Sequence, residues 1–477
     1  MFLINWGELT SRWDPTYVNF QEKLVVGFKF PIVKFKDLLR ESPFYGANEP
    51  GNIRESNEQI RYVRITDIDD DGRLTTCLGA TCSLVESKYL LQDMDLLIAR
   101  SGNTVGKSYL HDVKSVSDKC IFGGYLINFR IDSNLVLPYY VFYYLQCKFF
   151  KEWKNATMRF AGQPNINAQE YKNMPITLPD IRTQQSIVSI MNEAYEQKCQ
   201  KEQEAQLLLN NISDYIIGAL GIKLPLEANQ DLSDRIFYIH ATDMLGGRFD
   251  PRKYSRKYKQ LLDAIESAPY VRLMLKEIVL NDVSGDWGVD DTIEDPDLIS
   301  CLTIRGTEFD NKFNLDLDNN RTKFRKYSKA SFDKIALKEK DILIEKSGGS
   351  EDQPVGRVAF IEKDMLDKYS LAFSNFIHRI RIDENKAVPE YVFEYLRLMH
   401  NIKITEVMQT QTNGIRNLII QEYFGQTILL PDRKKQEEIA FHAAQMRKRA
   451  FELQEEAEKI VLDAKAKVEK MLLGDEQ

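Results

Sequence analysis

Asp95-Leu96-Leu97-Ile98-Ala99-Arg100-Ser101-Gly102 returns as Asp341-Ile342-Leu343-Ile344-Glu345-Lys346-Ser347-Gly348. An acid, an apolar run and a Ser-Gly turn stand in the same order at an offset of 246, from 95 to 341. Two more blocks repeat. Pro138-Tyr139-Tyr140-Val141-Phe142-Tyr143-Tyr144-Leu145 comes back as Pro389-Glu390-Tyr391-Val392-Phe393-Glu394-Tyr395-Leu396 at an offset of 251, and Leu178-Pro179-Asp180 as Leu430-Pro431-Asp432 at 252. The order is kept while the offset drifts, as when one unit is duplicated and its loops then change length. Each copy also opens on an aromatic-Asp-Pro, in Arg12-Trp13-Asp14-Pro15 and Arg248-Phe249-Asp250-Pro251.

Within each copy, short β-branched or aromatic runs such as Tyr62-Val63-Arg64-Ile65, bounded by Gly, Asp or Asn, read as strands. The segments after Pro138 and Pro389 read as helices, because proline is tolerated at the first helical position, where its missing N–H has no partner to lose. A Gln/Asn-rich loop follows: Gly162-Gln163-Pro164-Asn165-Ile166-Asn167 in one copy, Thr410-Gln411-Thr412-Asn413-Gly414-Ile415-Arg416-Asn417 in the other. After a short strand ending in Leu-Pro-Asp, each copy closes on a long helix.

The last helix carries Ile439, Ala443, Met446, Ala450, Leu453, Ala457, Ile460, Ala464 and Met471 on heptad spacing, with charged residues on its other faces. The central one carries Ile187, Met191, Ala194, Ala205, Leu208, Ile212 and Tyr215, a seam interrupted by Lys198 and Lys201. A stripe of that length needs a partner, and the return of the chain from one copy to the other predicts antiparallel pairing. The fold class is therefore α+β. Two repeated lobes of small mixed sheets and helices, 1–180 and 244–432, are joined and separated by two long antiparallel coiled-coil helices, 181–220 and 433–477, with a connector at 221–243.

A chain of 477 residues with 43% hydrophobic and 28% charged content has the make-up of an ordinary globular protein able to bury a core in each half. Its net charge of −7 does not announce a nucleic-acid binder, but local basic patches set the field near a phosphate. The six Cys form no CxxC pair, which fits reduced thiols and a cytoplasmic location. The first residues lack a basic stretch followed by an apolar one, so no signal peptide is expected.

No constellation for catalysis stands out, and the chain is read as non-catalytic, with no metal site. Gly102-Asn103-Thr104-Val105-Gly106-Lys107-Ser108 has one residue too few between its glycines for a phosphate loop. A glycine-rich hairpin ending in a basic residue, Lys107 or Arg357, is the better reading.

Leu-Pro-Asp followed by a Gln and an Ile opens both long helices (Gln184, Ile187; Gln436, Ile439), after the Gln/Asn loop and the Asp-apolar-Ser-Gly strand. In order and duplication the chain, from about residue 12 to 472, resembles the specificity subunit of type I DNA restriction–modification enzymes. The resemblance implies two target-recognition domains, each reading half of a split double-stranded DNA sequence, with the helices as a ruler. It also implies partners: two methyltransferase (modification) subunits on those helices, with S-adenosylmethionine in the methyltransferase rather than in this chain, and restriction (translocase–nuclease) subunits on that core, in a bacterium or archaeon. The alternatives are a coiled-coil protein scaffold without DNA contacts and a recognition fragment of a fused restriction–methyltransferase.

The major groove presents a distinct donor and acceptor pattern at each base pair, which amide and guanidinium side chains on loops can read. The candidates in the first copy are Arg61, Arg64, Arg73, Arg100, Lys107, Arg159, Gln163 and Asn165. In the second they are Arg305, Arg321, Lys323, Arg325, Lys326, Lys346, Arg357, Gln411, Asn413 and Arg416, with 321–326 read as a phosphate track. The partner and coiled-coil seam is Ile187, Met191, Ala194, Leu208, Ile212, Ile439, Met446, Leu453 and Ile460. The tyrosines at 139, 140, 143 and 144 are expected in the core.

Overall fold

The computed structural model describes residues 27–75, 78–83, 86–158, 163–225, 236, 238–240, 242, 248, 250–310, 314–319, 321–350, 353–412 and 414–473. Arg12–Pro15 and most of the 221–243 connector lie outside them. The chain divides into two compact units, 1–202 with 454–477, and 203–453.

In the first unit the strands are β1 (Ile32–Lys34), β2 (Phe44–Tyr45), β3 (Asn52–Ile53), β4 (Arg61–Val63), β5 (Ala80–Thr81), β6 (Asp95–Ala99), β7 (Ser108–His111), β8 (Cys120–Phe122), β9 (Leu126–Arg130) and β10 (Pro175–Thr177). They form a β1-β10 pair and two four-stranded sheets, β2-β9-β6-β7 and β3-β5-β4-β8. Two helices follow from the sequence blocks, α1 (Pro138–Tyr144) and α2 (Ile181–Ala219).

The second unit contains β11 (Val271–Met274), β12 (Val279–Ser284), β13 (Val289–Asp290), β14 (Leu298–Ile304), β15 (Phe324–Ser328), β16 (Ile342–Glu345), β17 (Ser347–Gly349), β18 (Val358–Phe360), β19 (Leu371–Phe373), β20 (Ile377–Ile382), β21 (Gln409–Thr412), β22 (Ile415–Leu418) and β23 (Thr427–Leu430). The pairing matches strand for strand: β11-β23, β12-β20-β16-β18 and β13-β15-β14-β19. The parallel strand pairing recurs as well, β4 on β8 and β14 on β19. The second unit adds a β17-β22-β21 sheet where the first has an isolated Ser101–Asn165 bridge. Gly46 and Gly285 sit where β-carbons would strike the carbonyl oxygens of Phe122 and Phe373, so both positions demand the smallest residue.

The repeated motifs have local causes. Asp95 is buried and accepts from Asn128 Nδ2 at 2.8 Å and Arg130 Nε at 3.1 Å, and Asp341 accepts from Arg381 Nε at 2.7 Å and Nη2 at 2.8 Å. A carboxylate inside a sheet needs such partners. In Leu-Pro-Asp the aspartate caps the long helix: Asp180 Oδ1 accepts from the backbone N–H of Thr183 at 3.1 Å, Asp432 Oδ1 from that of Lys435 at 2.9 Å. Gln184 donates to Pro179 O at 2.9 Å and accepts from Leu137 N–H at 2.9 Å; Gln436 does the same with Pro431 O at 2.8 Å and Val388 N–H at 2.9 Å. Each glutamine thus ties the start of its long helix to the start of the proline-led helix, α1 or α3 (Pro389–Asn401). Tyr140, Tyr143 and Tyr144 are buried as expected, and Tyr139 is half-buried.

The long helices are α2 and α4 (Arg433–Leu472), and they pair antiparallel: Lys198 meets Glu458, then Lys201 meets Glu456. In the first unit Ile187, Met191 and Ala194 share a core with Val461, Ala464 and Val468. In the second, Ala205 clusters with Ala450 and Leu453, with Leu208 against them, and Ile212 and Ile216 share a core with Ile439 and Ala443. Strict heptad spacing fails toward the ends. Val461 and Leu472 are buried while Ile460 and Met471 are half-buried, and Ile216 replaces Tyr215; Met446 is half-buried too. A straight helix of 3.6 residues per turn drifts about 20° per heptad from a 3.5 repeat, so the inward face moves one residue on. Lys198 does not break the seam. It is 5% exposed and joins Asp71 and Glu458, each at 2.7 Å. Burial opposes its charge, but those two bonds prevail and hold the ammonium up at about 12. Past Ala219, Gly221 at φ +65° lets Ile222 N–H return to Ile217 O at 3.0 Å and stop α2.

Candidate nucleic-acid interface

In each unit the Asp-apolar-Ser-Gly strand runs out into a loop headed by a cation, Arg100 or Lys346. Matching backbone bonds fix that cation: Arg100 N–H to Tyr125 O at 3.0 Å and Lys346 N–H to Phe376 O at 2.9 Å. The Gln/Asn segment closes the far side, through Ile166 N–H to Arg100 O at 2.9 Å and Leu418 N–H to Lys346 O at 2.8 Å. The aromatic beside each cation is exposed, Tyr125 at 62% and Phe376 at 40%.

Beside the loop that follows Arg100, a cleft of about 540 Å3 opens between Ala47, Tyr62, Arg64, Gly102, Tyr125 and Gln163. The Arg100 guanidinium lies 4.8 Å from the centre of the Tyr45 ring, a cation–π contact that holds this planar group against an aromatic side chain. Gln163 and Asn165 are exposed nearby. Arg64 is 44% exposed and held by Asp67, with Nη2 to Oδ1 at 2.8 Å. Lys107 ends the hairpin 3.2 Å from Asp70. Two candidates lie elsewhere. Arg61 is interior, donating to Thr75 O at 2.9 Å, and Arg73 lies over the Tyr195 ring of α2 at 4.8 Å. Arg159 is outside the described residues.

In the second unit Lys346 Nζ donates to Ser284 Oγ at 2.9 Å. Burial with no compensating acid lowers the pKa of that ammonium. Gln411 is exposed on the β21-β22 hairpin, while Arg416 opposite it is 8% exposed; Asn413 lies outside the described residues. The run 321–326 divides. Arg321 and Lys323 are exposed, Arg325 lies 5.3 Å from the Trp287 ring centre, and Lys326 donates to Ile293 O at 2.7 Å. Arg305 is engaged with Glu308 at 2.6 Å. Arg357 is buried: its Nε donates to Glu345 at 2.8 Å and its Nη1 to Phe309 O at 3.0 Å, so it fastens loops inside the lobe.

Residue-type reading passed over the aromatics Tyr45, Tyr125, Trp287 and Phe376. Tyr125 follows Gly123-Gly124, and a large ring after two glycines in a turn is the signal that could have found it. It also passed over Ser284 and His378, adjacent only through strand pairing. Among the described residues no three potential metal ligands converge, and no helix is long and apolar enough to cross a membrane.

Residues 55–209 match the model of the type I restriction modification DNA specificity domain. That stretch is similar to a type I specificity domain. The match runs from just past β3 through the Arg100 loop and well into α2, and the second unit, outside the match, repeats the strand order of the first. No curated protein matches the chain. Among solved structures, one from work on complex assembly and conformational transition of the type I R-M system aligns over 93% of this chain and 97% of its own, at 13% identity and TM-score 0.49. The type I restriction-modification S subunit from M. genitalium aligns over 98% and 99% at 12% identity, TM-score 0.41. The HsdS subunit from Thermoanaerobacter tengcongensis aligns over 94% and 97% at 13% identity, TM-score 0.35.

Proposed function

We propose that this chain is the DNA-reading subunit of a type I restriction–modification complex. Each lobe reads one half of a bipartite duplex site, and the paired long helices set how many unread base pairs separate the halves. Modification subunits dock on those helices and bind S-adenosylmethionine; restriction subunits join that core. This chain supplies recognition and no catalysis, in the cytoplasm of a bacterium or archaeon. One observation carries the reading: the strand order of the unit that holds the matched stretch occurs twice, with the same loop presenting a cation beside an exposed aromatic but different side chains around it. A repeated frame with altered contents suits two different half-sites. Exposed Phe441 and Phe451 on α4 support docking of a protein partner.

Long-read methylation maps of cells with and without the gene test it. Loss of methylation at one split motif is expected, and unchanged maps would refute it. Inserting about seven residues near Gln203, two helical turns, should lengthen the spacer and leave both halves intact. Altered halves with an unaltered spacer would remove the ruler. DNA affinity should also fall steeply with salt, whereas a protein scaffold would hold its partner without that dependence.

A further inference from the structure

Tyr45 and Ser284 occupy equivalent places, Tyr45 across from Ile127 and Ser284 across from His378. In the first lobe an aromatic platform holds the cation. In the second a polar chain does: Lys346 Nζ to Ser284 Oγ at 2.9 Å, Ser284 Oγ to His378 Nδ1 at 3.1 Å, His378 Nε2 to Asp282 Oδ2 at 2.9 Å. We propose that Arg100 and Lys346 are the paired specificity-determining cations of the two half-site readers, and that Ser284, His378 and Asp282 position Lys346 as a proton-gated donor.

The directions of the hydrogen bonds support this. Neutral His378 with its proton on Nε2 donates to Asp282 and leaves Nδ1 to accept the Ser284 hydroxyl, whose oxygen accepts from Lys346. Lys346 keeps two N–H groups for an acceptor pair such as O6 and N7 of guanine. Protonated His378 donates from Nδ1, so two cations crowd one oxygen and Lys346 is released. His378 is 5% exposed. Burial favours its neutral form, as do Lys346 at the end of β16 and Arg379 on its own strand, while Asp282 on β12 opposes them; the balance lies below the ordinary 6.5. The Phe424 ring closes the remaining side at 5.7 Å, edge-on and uncharged. The first lobe has Ile127 at the matching place and cannot titrate there.

This inference rests on the DNA-reading function, and its test separates the two. In methylation maps, Arg100→Ala should relax one half-site and Lys346→Ala or Lys346→Gln the other. An unchanged motif in both Lys346 variants, or changes in the same half as Arg100→Ala, overturns the pairing. A missing motif in the wild type overturns the function itself. With the mapped duplex and one scrambled in the Lys346-dependent half, the full-length chain in its purified complex should discriminate about tenfold less at about pH 5 than at about pH 8. His378→Gln, which keeps a donor and an acceptor without titrating, should flatten that profile, and Ser284→Ala should discriminate poorly at both pH values. The wild-type pH profile persisting in His378→Gln overturns the gate.

Discussion

Tyr143 and Glu394 stand at the same place in the two proline-led helices, Gln146 and Arg397 one turn further on, and Tyr195 and Arg447 at the same place in the long helices. In the first unit these positions are neutral. Tyr143 hydrogen-bonds Asn192, Tyr195 hydrogen-bonds Gln146, and the two rings stack with centroids 5.9 Å apart. In the second they are ionic: Glu394 is 2% exposed and takes Arg447 directly and Arg397 Nη1 at 3.4 Å. Burial is the leading influence on the Arg397 guanidinium and lowers it to about 10 despite the glutamate. One duplicated joint has thus been filled in two ways. An aromatic joint tolerates the loss of a hydroxyl, whereas an ionic one fails when a single charge leaves.

The largest test of that contrast is Glu394→Gln, which takes the carboxylate from buried Arg397 and half-buried Arg447 and should cost about 3–5 kcal/mol in urea unfolding. A loss near 1 kcal/mol would mean that Arg397 and Arg447 find water. Next is acid. Burial holds His400 at about 4 in the folded chain against an ordinary 6.5, so the unfolded chain binds the extra proton first. Its stabilising contribution is full above 6.5 and drains as pH falls toward 4, by about 3 kcal/mol at most. Unfolding monitored in the second unit should show that decline, and His400→Gln should remove it. Gly46→Ala and Gly285→Ala probe what the lobes share; each should cost about 1–3 kcal/mol by forcing a methyl onto a carbonyl. Unequal losses would show that one sheet crossing yields more than the other. The smallest effect is Tyr143→Phe, about 1 kcal/mol for one hydrogen bond.

Several features were legible residue by residue. The Asp95 and Asp341 blocks marked equivalent strands because a buried acid needs a fixed partner, and the glutamines at 184 and 436 marked helix starts because their bonds are local. The candidate interface was legible only in part. Arg100 and Lys346 head matching loops, but Arg61 and Arg357 point inward, since charge in a sequence does not say which way a strand faces. The seam was read one residue off near its ends because a heptad template ignores the true helical pitch.

By itself, then, the sequence determined that a unit was duplicated, where the long helices begin, and that they face each other antiparallel. These follow from spacing and short-range hydrogen bonding, which a linear string records. Only the tertiary structure decided that Tyr45 lies under Arg100, that Ser284 and His378 lie beside Lys346, and that one joint is aromatic and the other ionic. Those contacts join residues tens of positions apart, and their partners are fixed by strand register and helix packing, not by anything in the neighbouring sequence.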